Sequence, residues 1–386
     1  MAPDVTSNKD LPSYDLDRAV KYFIIIIGLI AMLGLIMVFS SSYIYAKETF
    51  GSSTYFFFRQ SFFIAAGLLV ALIVGISKIN FWINYGRYLN IVAILLLLLT
   101  FFPGIGVVVK GSHRWINILG LTVQPGEIIK FTTMLAALFY FENFSILERK
   151  EKIKQGIFLI APLVVLIKQP DYGTFLICFT VIGFVCFMSS FSRKYFYIFL
   201  ASGITIGAAA LFIESYRIKR ILTFLDPWKN PQTSGFQIIQ SYLAFANGGI
   251  FGEGLGNSNE KLFYLPEAHN DFIFSVIGEE LGLFGVLMAI LLFVAMIYLG
   301  FKIALKMESR MSQILVSTVV FVVGLQALLN MGVVLGLLPT KGLNLPFISY
   351  GGSSIISNFF AIGLIISAFR QTRVILNNSA LTTQDR

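Results

Sequence analysis

Residues 22–43 read YFIIIIGLIAMLGLIMVFSSSY, a stretch without a charged side chain that decides the class of the fold. A helix needs about 20 consecutive apolar residues to cross the hydrocarbon core of a bilayer, so this stretch predicts a membrane-spanning helix. It is longer than the apolar part of a cleavable signal peptide, and no convincing cleavage site follows it. We therefore expect this first helix to remain in the membrane.

The same pattern extends over the chain of 386 residues, of which 56% are hydrophobic and only 13% are charged. A soluble domain of this length needs more surface charge, whereas lipid can solvate apolar faces. Further apolar stretches lie approximately at residues 56–77, 88–103, 128–144, 156–170, 172–189, 194–214, 271–300, 312–338 and 353–376. The sequence thus predicts an all-α integral membrane protein, a single polytopic domain over residues 1–386 with about ten transmembrane helices.

Lysine and arginine indicate which loops face the cytoplasm. With ten spans, one set of short loops and both tails carry most of the cations, and the opposite short loops carry few. We therefore expect residues 1–21 and 377–386 to be cytoplasmic tails. Residues 215–270, between the seventh and eighth spans, are expected to form a long extracytoplasmic loop. The net charge of +9 is scattered over loops and does not predict a nucleic-acid partner.

Four outward segments hold the unusual polar residues, and the first is residues 103–130. Its proline and glycine breakers and its alternation predict a hairpin at the membrane surface. Its last proline can begin the next helix, in which Glu127 and Lys130 are three residues apart and share a face. They are either an ordinary ion pair at a helix start, or Lys130 joins Lys110 and Arg114 in a cationic cluster for a pyrophosphate.

The second and fourth segments are a tight turn and a loop. Asp171 lies in the turn, KQPDYGT at residues 168–174, and it either caps the following helix or takes part in a site. The fourth segment, residues 336–354, is interrupted by prolines and glycines and holds Lys341 and Ser349. Irregular backbone at membrane depth persists only where it lines a cavity or is buried in protein, so this segment is either a plain loop or a cavity wall.

The third segment, residues 264–274, reads YLPEAHNDFIF and includes Glu267, His269 and Asp271. Asp271 stands where an apolar helix begins, so it is either a helix cap or a reactive acid. The same helix carries Glu279, about 80° from Asp271 around the helix axis. Acids inside a membrane span usually face a polar cavity, which predicts a polar groove from Asp271 down to Glu279.

Taken together, these segments resemble the SEDS family, named for shape, elongation, division and sporulation. Lys341-Gly342 is closer to the branch of that family that serves cell division than to the elongation branch. One departure is Gly126, where the family commonly has serine, so no hydroxyl is available at that position. The matching stretches, in the family's order, are GSHRWINILGLTVQPGEIIK (111–130), KQPDYGT (168–174), GFQIIQSYLAFANGGIFGEGLG (235–256), LPEAHNDFIFSVIGEELG (265–282) and LPTKGLNLPFISYGGSS (338–354).

The resemblance implies a peptidoglycan glycosyltransferase that polymerises lipid II into glycan strands at the outer face of the bacterial inner membrane, at the division septum. It implies a class B penicillin-binding protein as partner, and it places the catalytic acid on Asp271. A carboxylate there could act as general base in an inverting displacement, while cations hold the departing pyrophosphate. The substrate-binding candidates are Lys110, Arg114, Glu127, Lys130, Asp171, Glu267, His269, Glu279, Lys341 and Ser349.

The sequence shows no metal-ligand cluster or cofactor motif, although Mg²⁺ could accompany a pyrophosphate substrate. Two other functions remain open: a flippase or transporter of lipid-linked precursors, and a non-catalytic division scaffold. A flippase predicts a polar path across the whole membrane, with charged groups near both faces. The unusual polar residues here gather in the outer half, which favours the enzyme.

Overall fold

A computed structural model describes residues 12–109, 112–118, 120–213, 222–233, 235–258, 268–340 and 342–384. Three of the predicted binding residues, Lys110, Glu267 and Lys341, lie outside these ranges. The described part is built mainly from α-helices. They are α1 (Pro12–Phe50), α2 (Tyr55–Ile76), α3 (Ile79–Leu99), α4 (Pro125–Asn143), α5 (Arg149–Lys168), α6 (Tyr172–Met188), α7 (Arg193–Ile213), α8 (Phe236–Gly248), α9 (Ile273–Leu305), α10 (Arg310–Val334) and α11 (Gly352–Gln384).

The multi-pass helical fold is confirmed, because each of the ten predicted spans overlaps one of these helices. Six helices within the described residues, α1, α2, α3, α9, α10 and α11, are long and apolar enough to cross a membrane. Helix α6 is apolar but shorter. The exact number of ten crossings therefore stays a prediction.

Some helices extend beyond the apolar stretches that predicted them. Helix α3 begins at Ile79, well before the predicted start at residue 88, and α5 begins at Arg149 rather than at residue 156. Backbone hydrogen bonding continues into the headgroup region, where long cationic side chains keep their charge in water. The long outward loop also contains α8, whose 13 residues are too few to span a bilayer.

The predicted hairpin at the outer end of α3 is present and gains a third strand. Strands β1 (Gly106–Val109), β2 (Ser112–Ile118) and β3 (Leu121–Val123) form an antiparallel sheet in that order. Gly120 turns the chain between β2 and β3 with φ +84° and donates its amide to Asn117 Oδ1 at 3.0 Å. The sheet then leads into α4, which begins at Pro125 as expected.

Ion pairs join the start of α1 to the ends of two later helices. Asp15 contacts Lys306 at the end of α9 at 3.0 Å, and Asp17 contacts Arg373 in α11 at 3.2 Å. These three helix ends therefore lie at one end of the bundle. Tyr45, roughly 45 Å along α1 from Asp15, stacks on His269 at the opposite end. The third outward segment thus lies at the end remote from these helix ends.

Helix α9 is broken at Gly282, which has φ 64° and ψ −164°. The glycine-rich loop after α8 supplies the missing hydrogen bonds: Leu283 N donates to Gly249 O at 2.9 Å, and Glu253 N donates to Glu279 O at 2.9 Å. A Cβ at Gly282 would lie 2.4 Å from Gly252 N, so only glycine permits this approach. The break survives at membrane depth because neighbouring backbone satisfies it.

Candidate active site

The sheet docks on the turn between α5 and α6. Ser112 Oγ on β2 donates to Gln169 O at 2.9 Å, and Arg114 on the same strand donates from Nη2 to Pro170 O. Gln169 in turn donates to Thr100 Oγ1 at 2.7 Å, at the end of α3. The first and second outward segments therefore form one surface, which presents the Arg114 guanidinium.

Three consecutive main-chain carbonyls hold the segment that contains Asp271. Tyr350 N donates to His269 O at 3.0 Å, and Ser349 Oγ donates to Asn270 O at 2.7 Å. The carbonyl of Asp271 itself accepts from Asn330 Nδ2 at 2.7 Å. Asn330 Nδ2 also donates to Leu343 O at 2.6 Å. The third and fourth outward segments are thereby fixed to each other and to α10.

Asp271 and Arg114 approach the same small space beside Gly342. A Cβ at Gly342 would lie 3.3 Å from Asp271 Oδ2 and 3.5 Å from Arg114 Nη1. Both side chains are half-buried, and Arg114 Nε has no hydrogen-bond partner in the described part of the chain. Glycine at position 342 keeps this space clear of a side chain. An acid and a cation with a spare donor thus meet where a polar substrate could enter.

The two aspartates that sequence reasoning treated alike differ in the structure. Asp171 is the N-cap of α6: its carboxylate accepts from Thr174 N at 3.3 Å and from Thr174 Oγ1 at 2.9 Å, and it is buried. Asp271 lies one residue before the N-cap of α9, a position that Phe272 occupies. The capping interpretation therefore fits Asp171, whereas Asp271 stands outside the cap position.

Glu127 and Lys130 form a buried ion pair with a separation of 2.7 Å. Lys130 Nζ also donates to Gln326 Oε1 at 2.6 Å, and Gln326 Nε2 donates to Asn344 O at 2.9 Å. The ion pair that the sequence allowed is thus present, and a role of these two residues in substrate binding stays a prediction. Lys130 connects α4 to α10 and to the fourth outward segment, and its ammonium is enclosed rather than open to a pyrophosphate.

The acids of α9 are more enclosed than the sequence predicted. Glu279 and Glu280 are both buried; Glu279 accepts from Ser258, and Glu280 accepts from Ser40 Oγ at 2.5 Å. The predicted groove from Asp271 to Glu279 is therefore not open at its inner end. The cause is the break at Gly282, which lets the loop after α8 pack over this face.

His269 and Ser349 hold the segment around Asp271 in place. The His269 ring packs against Phe56, Tyr45 and Tyr350, with centroid distances of 4.7, 5.7 and 5.9 Å. Ser349 is buried, and its hydroxyl accepts from Leu345 N at 2.8 Å while donating to Asn270 O. Their predicted role in substrate binding stays a prediction, since these contacts are internal.

Sequence reasoning missed the amides of α10. Gln326 and Asn330 are four residues apart in an apolar membrane helix, both are buried, and both reach the fourth outward segment. Their spacing on one face was the signal, because polar side chains in a membrane span face partners inside the bundle. Among the described residues no group of three or more His, Cys, Asp or Glu could hold a metal ion.

Comparison with known proteins places this chain in a family. A family model described as "Cell cycle protein", which covers FtsW, RodA and SpoVE, matches residues 20–374. The chain belongs to this FtsW/RodA/SpoVE family. Two relatives named "Probable peptidoglycan glycosyltransferase FtsW" support the resemblance to the division branch. The one from Geobacter metallireducens is 38% identical over 369 residues, covering 93% of this chain and 95% of that protein. The one from Legionella pneumophila is 37% identical over 353 residues, covering 89% and 88%.

Solved structures of FtsW/RodA/SpoVE proteins share the fold. A chain from a structure described as "Structural coordination of polymerization and crosslinking by a peptidoglycan synthase complex" is 25% identical. The match covers 91% of this chain and 97% of that chain, with a TM-score of 0.72. The Rod shape determining protein RodA of Thermus thermophilus is 22% identical, with coverages of 91% and 96% and a TM-score of 0.66. The multi-pass membrane architecture is therefore that of the family.

Proposed function

We propose that this protein is an inverting peptidoglycan glycosyltransferase that polymerises lipid II at the outer face of the bacterial inner membrane, with Asp271 as its general base. One observation carries the assignment of the site: the half-buried carboxylate of Asp271 and the guanidinium of Arg114 both lie beside Gly342. The other predicted acids within the described residues, Glu127, Asp171 and Glu279, are buried and already bonded. The names of the FtsW relatives support the reaction.

The proposed reaction needs one base and at least one cation. The 4-hydroxyl of the acceptor sugar gives its proton to the Asp271 carboxylate while its oxygen attacks the anomeric carbon of the donor. The bond from that carbon to the lipid pyrophosphate breaks, and the pyrophosphate leaves with the electron pair. Arg114 stabilises the charge that develops there. A single displacement inverts the anomeric configuration.

The same proposal includes a partner and an orientation. A class B penicillin-binding protein would cross-link the strands, in keeping with the synthase complex whose chain shares this fold. Both termini would be cytoplasmic, and the site would face outward at the division septum. Mg²⁺ could enter the site together with the pyrophosphate. The described residues include no group of three or more His, Cys, Asp or Glu that would bind it on their own.

A flippase or transporter is the main competing function. It requires a polar path across the bilayer, whereas Glu279 and Glu280 are enclosed by serines and by the loop after α8. A non-catalytic scaffold is the second competitor, and it has no need of a half-buried acid beside a cation with a spare donor. Both competitors predict outcomes that differ from polymerisation.

Purified protein given fluorescent lipid II, with and without a class B penicillin-binding protein, tests the proposal directly. We expect glycan polymer of increasing length on a gel. Translocation of lipid II across proteoliposomes without polymer would support the flippase. Neither product, in protein that still binds the partner, would support the scaffold. Polymer of inverted anomeric configuration would confirm the single displacement.

A further inference from the structure

A second polar site lies at the end of the bundle remote from Asp271. A cavity of about 300 Å³ opens between α3 and α5, with Ala136 of α4 as part of its wall. Its polar lining consists of Arg87, Asn90, Glu151, Lys154 and Gln155.

The depth of this cavity corresponds to the headgroup level of a membrane. Arg370 of α11 donates to Gly75 O at 3.1 Å, which puts the α2–α3 junction at the end of the bundle where the termini meet. Arg87 lies about two turns into α3, and Lys154 lies in the second turn of α5. Tyr85 and Tyr88, 52% and 51% exposed, flank Arg87 as aromatic side chains do at a membrane interface. In the proposed orientation this is the cytoplasmic leaflet.

The cavity holds polar atoms that the protein leaves unmatched. Arg87 Nε is buried without a hydrogen-bond partner, and Arg87 forms no ion pair with a described residue. Its guanidinium lies instead over the rings of Phe139 and Tyr88, at 4.4 and 4.7 Å. Gln155 is 8% exposed, and its Oε1 is also buried without a partner. Buried polar atoms are rarely left so, and the wall of this cavity is therefore a polar region that the protein does not fully satisfy by itself.

The charges in the cavity indicate which ligand fits. Lys154 pairs with Glu151 at 3.7 Å, and Gln155 Nε2 donates to the same carboxylate at 3.2 Å. The charges of Glu151 and Lys154 therefore cancel. Arg87 then gives the lining of the cavity a net charge of +1. One phosphodiester carries one negative charge and matches it. A zwitterionic lipid would bring a cation as well, for which no free acid remains.

We propose that this cavity binds the headgroup of an anionic phospholipid of the phosphatidylglycerol type. The phosphate accepts hydrogen bonds from Arg87 and Lys154. The acyl chains extend along the exposed apolar faces of α3 and α5, where Val92 and Ile157 point outward. Basic pockets between transmembrane helices at the cytoplasmic side bind anionic lipid headgroups in this manner.

Native mass spectrometry of the purified full-length protein tests the proposal. The protein is equilibrated in detergent with equal amounts of dioleoyl-phosphatidylglycerol and dioleoyl-phosphatidylethanolamine. We expect the wild type to retain the anionic lipid preferentially, and Arg87→Gln to lower that retention about tenfold or more through loss of a charge-assisted contact. Lys154→Gln should lower it by a smaller factor, and Arg87→Lys should restore part of it.

Lys152→Gln is the matched control, because Lys152 lies on the same helix end but over the Phe144 ring, outside this cavity. An equal loss in Lys152→Gln would indicate diffuse charge attraction and overturn the site. Equal retention of the two lipids by the wild type would do the same, and so would displacement of the anionic lipid by millimolar inorganic phosphate. If Arg87→Gln does not fold, the lipid retention of Lys154→Gln tests the proposal instead. The Lys154 side chain is 62% exposed, so we expect that variant to fold. No outcome depends on lipid II polymerisation.

Discussion

At the scale of single residues, the acids of the predicted site differ in how deeply they are buried. Glu127, Asp171 and Glu279 are buried, whereas Asp271 is half-buried and lies beside Gly342, as Arg114 does. We expect Asp271→Asn to reduce lipid II polymerisation on the order of a hundredfold or more, because the amide keeps the shape but removes the basicity. Abundance in the membrane should hardly change. The measurement is turnover normalised to folded protein.

The Asp271→Ala variant makes this test sharper. If Asp271 mattered only through hydrogen bonds that hold its segment, Asn would retain near-normal activity and Ala would lose stability. Substantial turnover in a folded Asp271→Asn variant would remove the base assignment and shift attention to Glu127 and Glu267.

Arg114 carries the second prediction at this scale. Arg114→Ala should weaken use of the donor substrate by roughly 1.5–3 kcal/mol, since it removes one charge-assisted contact. Arg114→Lys should recover part of this, because the charge returns without the paired geometry of a guanidinium. Arg59→Ala is the matched control: Arg59 bonds Tyr55 Oη at 2.6 Å at the start of α2 and does not contact the position of a Cβ at Gly342. Equal lipid II kinetics for Arg114→Ala and the control would make Arg114 a structural residue that only docks the sheet.

At the scale of elements, α10 positions Asp271 through its main chain. Asn330→Leu would remove the donor shared by Asp271 O and Leu343 O and leave a part-buried and a buried carbonyl without it. We expect the free energy of unfolding to fall by about 1–3 kcal/mol per unsatisfied group. We also expect kcat to fall by a larger factor than KM changes. Thr318→Val in the same helix is the control, because Thr318 bonds only to Ile314 O, one turn earlier in α10, among the described residues. Unchanged kcat in a stable Asn330→Leu variant would contradict the positioning role.

The elements also show what sequence can predict. The helices follow from apolar stretches, and Pro125 and Asp171 mark helix starts by chemistry that acts within a few residues. The approach of Arg114 to Asp271 does not follow in this way, because it depends on how distant segments pack. The enclosure of Glu279 was missed for the same reason: a helical wheel cannot show that a glycine at position 282 breaks the helix.

At the scale of the whole molecule, the ion pairs of Asp15 and Asp17 bring the start of α1, the end of α9 and the C-terminal half of α11 to one end of the bundle, which agrees with the predicted even number of crossings. We expect Asn257→Cys and Lys150→Cys to react with an impermeant thiol reagent from opposite sides of the membrane. Both positions are exposed, and the native Cys178 and Cys186 are buried, so the background should be low. Labelling of both from outside the cell would refute the topology.

The three main-chain carbonyls that hold residues 269–271 affect how this protein can evolve. Every amino acid carries the same carbonyl, so this anchorage is indifferent to the side chain at position 271. A lineage could exchange the aspartate for asparagine by one nucleotide change and keep an intact membrane protein. Loss of catalysis and loss of the fold are thus separate evolutionary events in this architecture, and a descendant without the acid could persist for its associations alone.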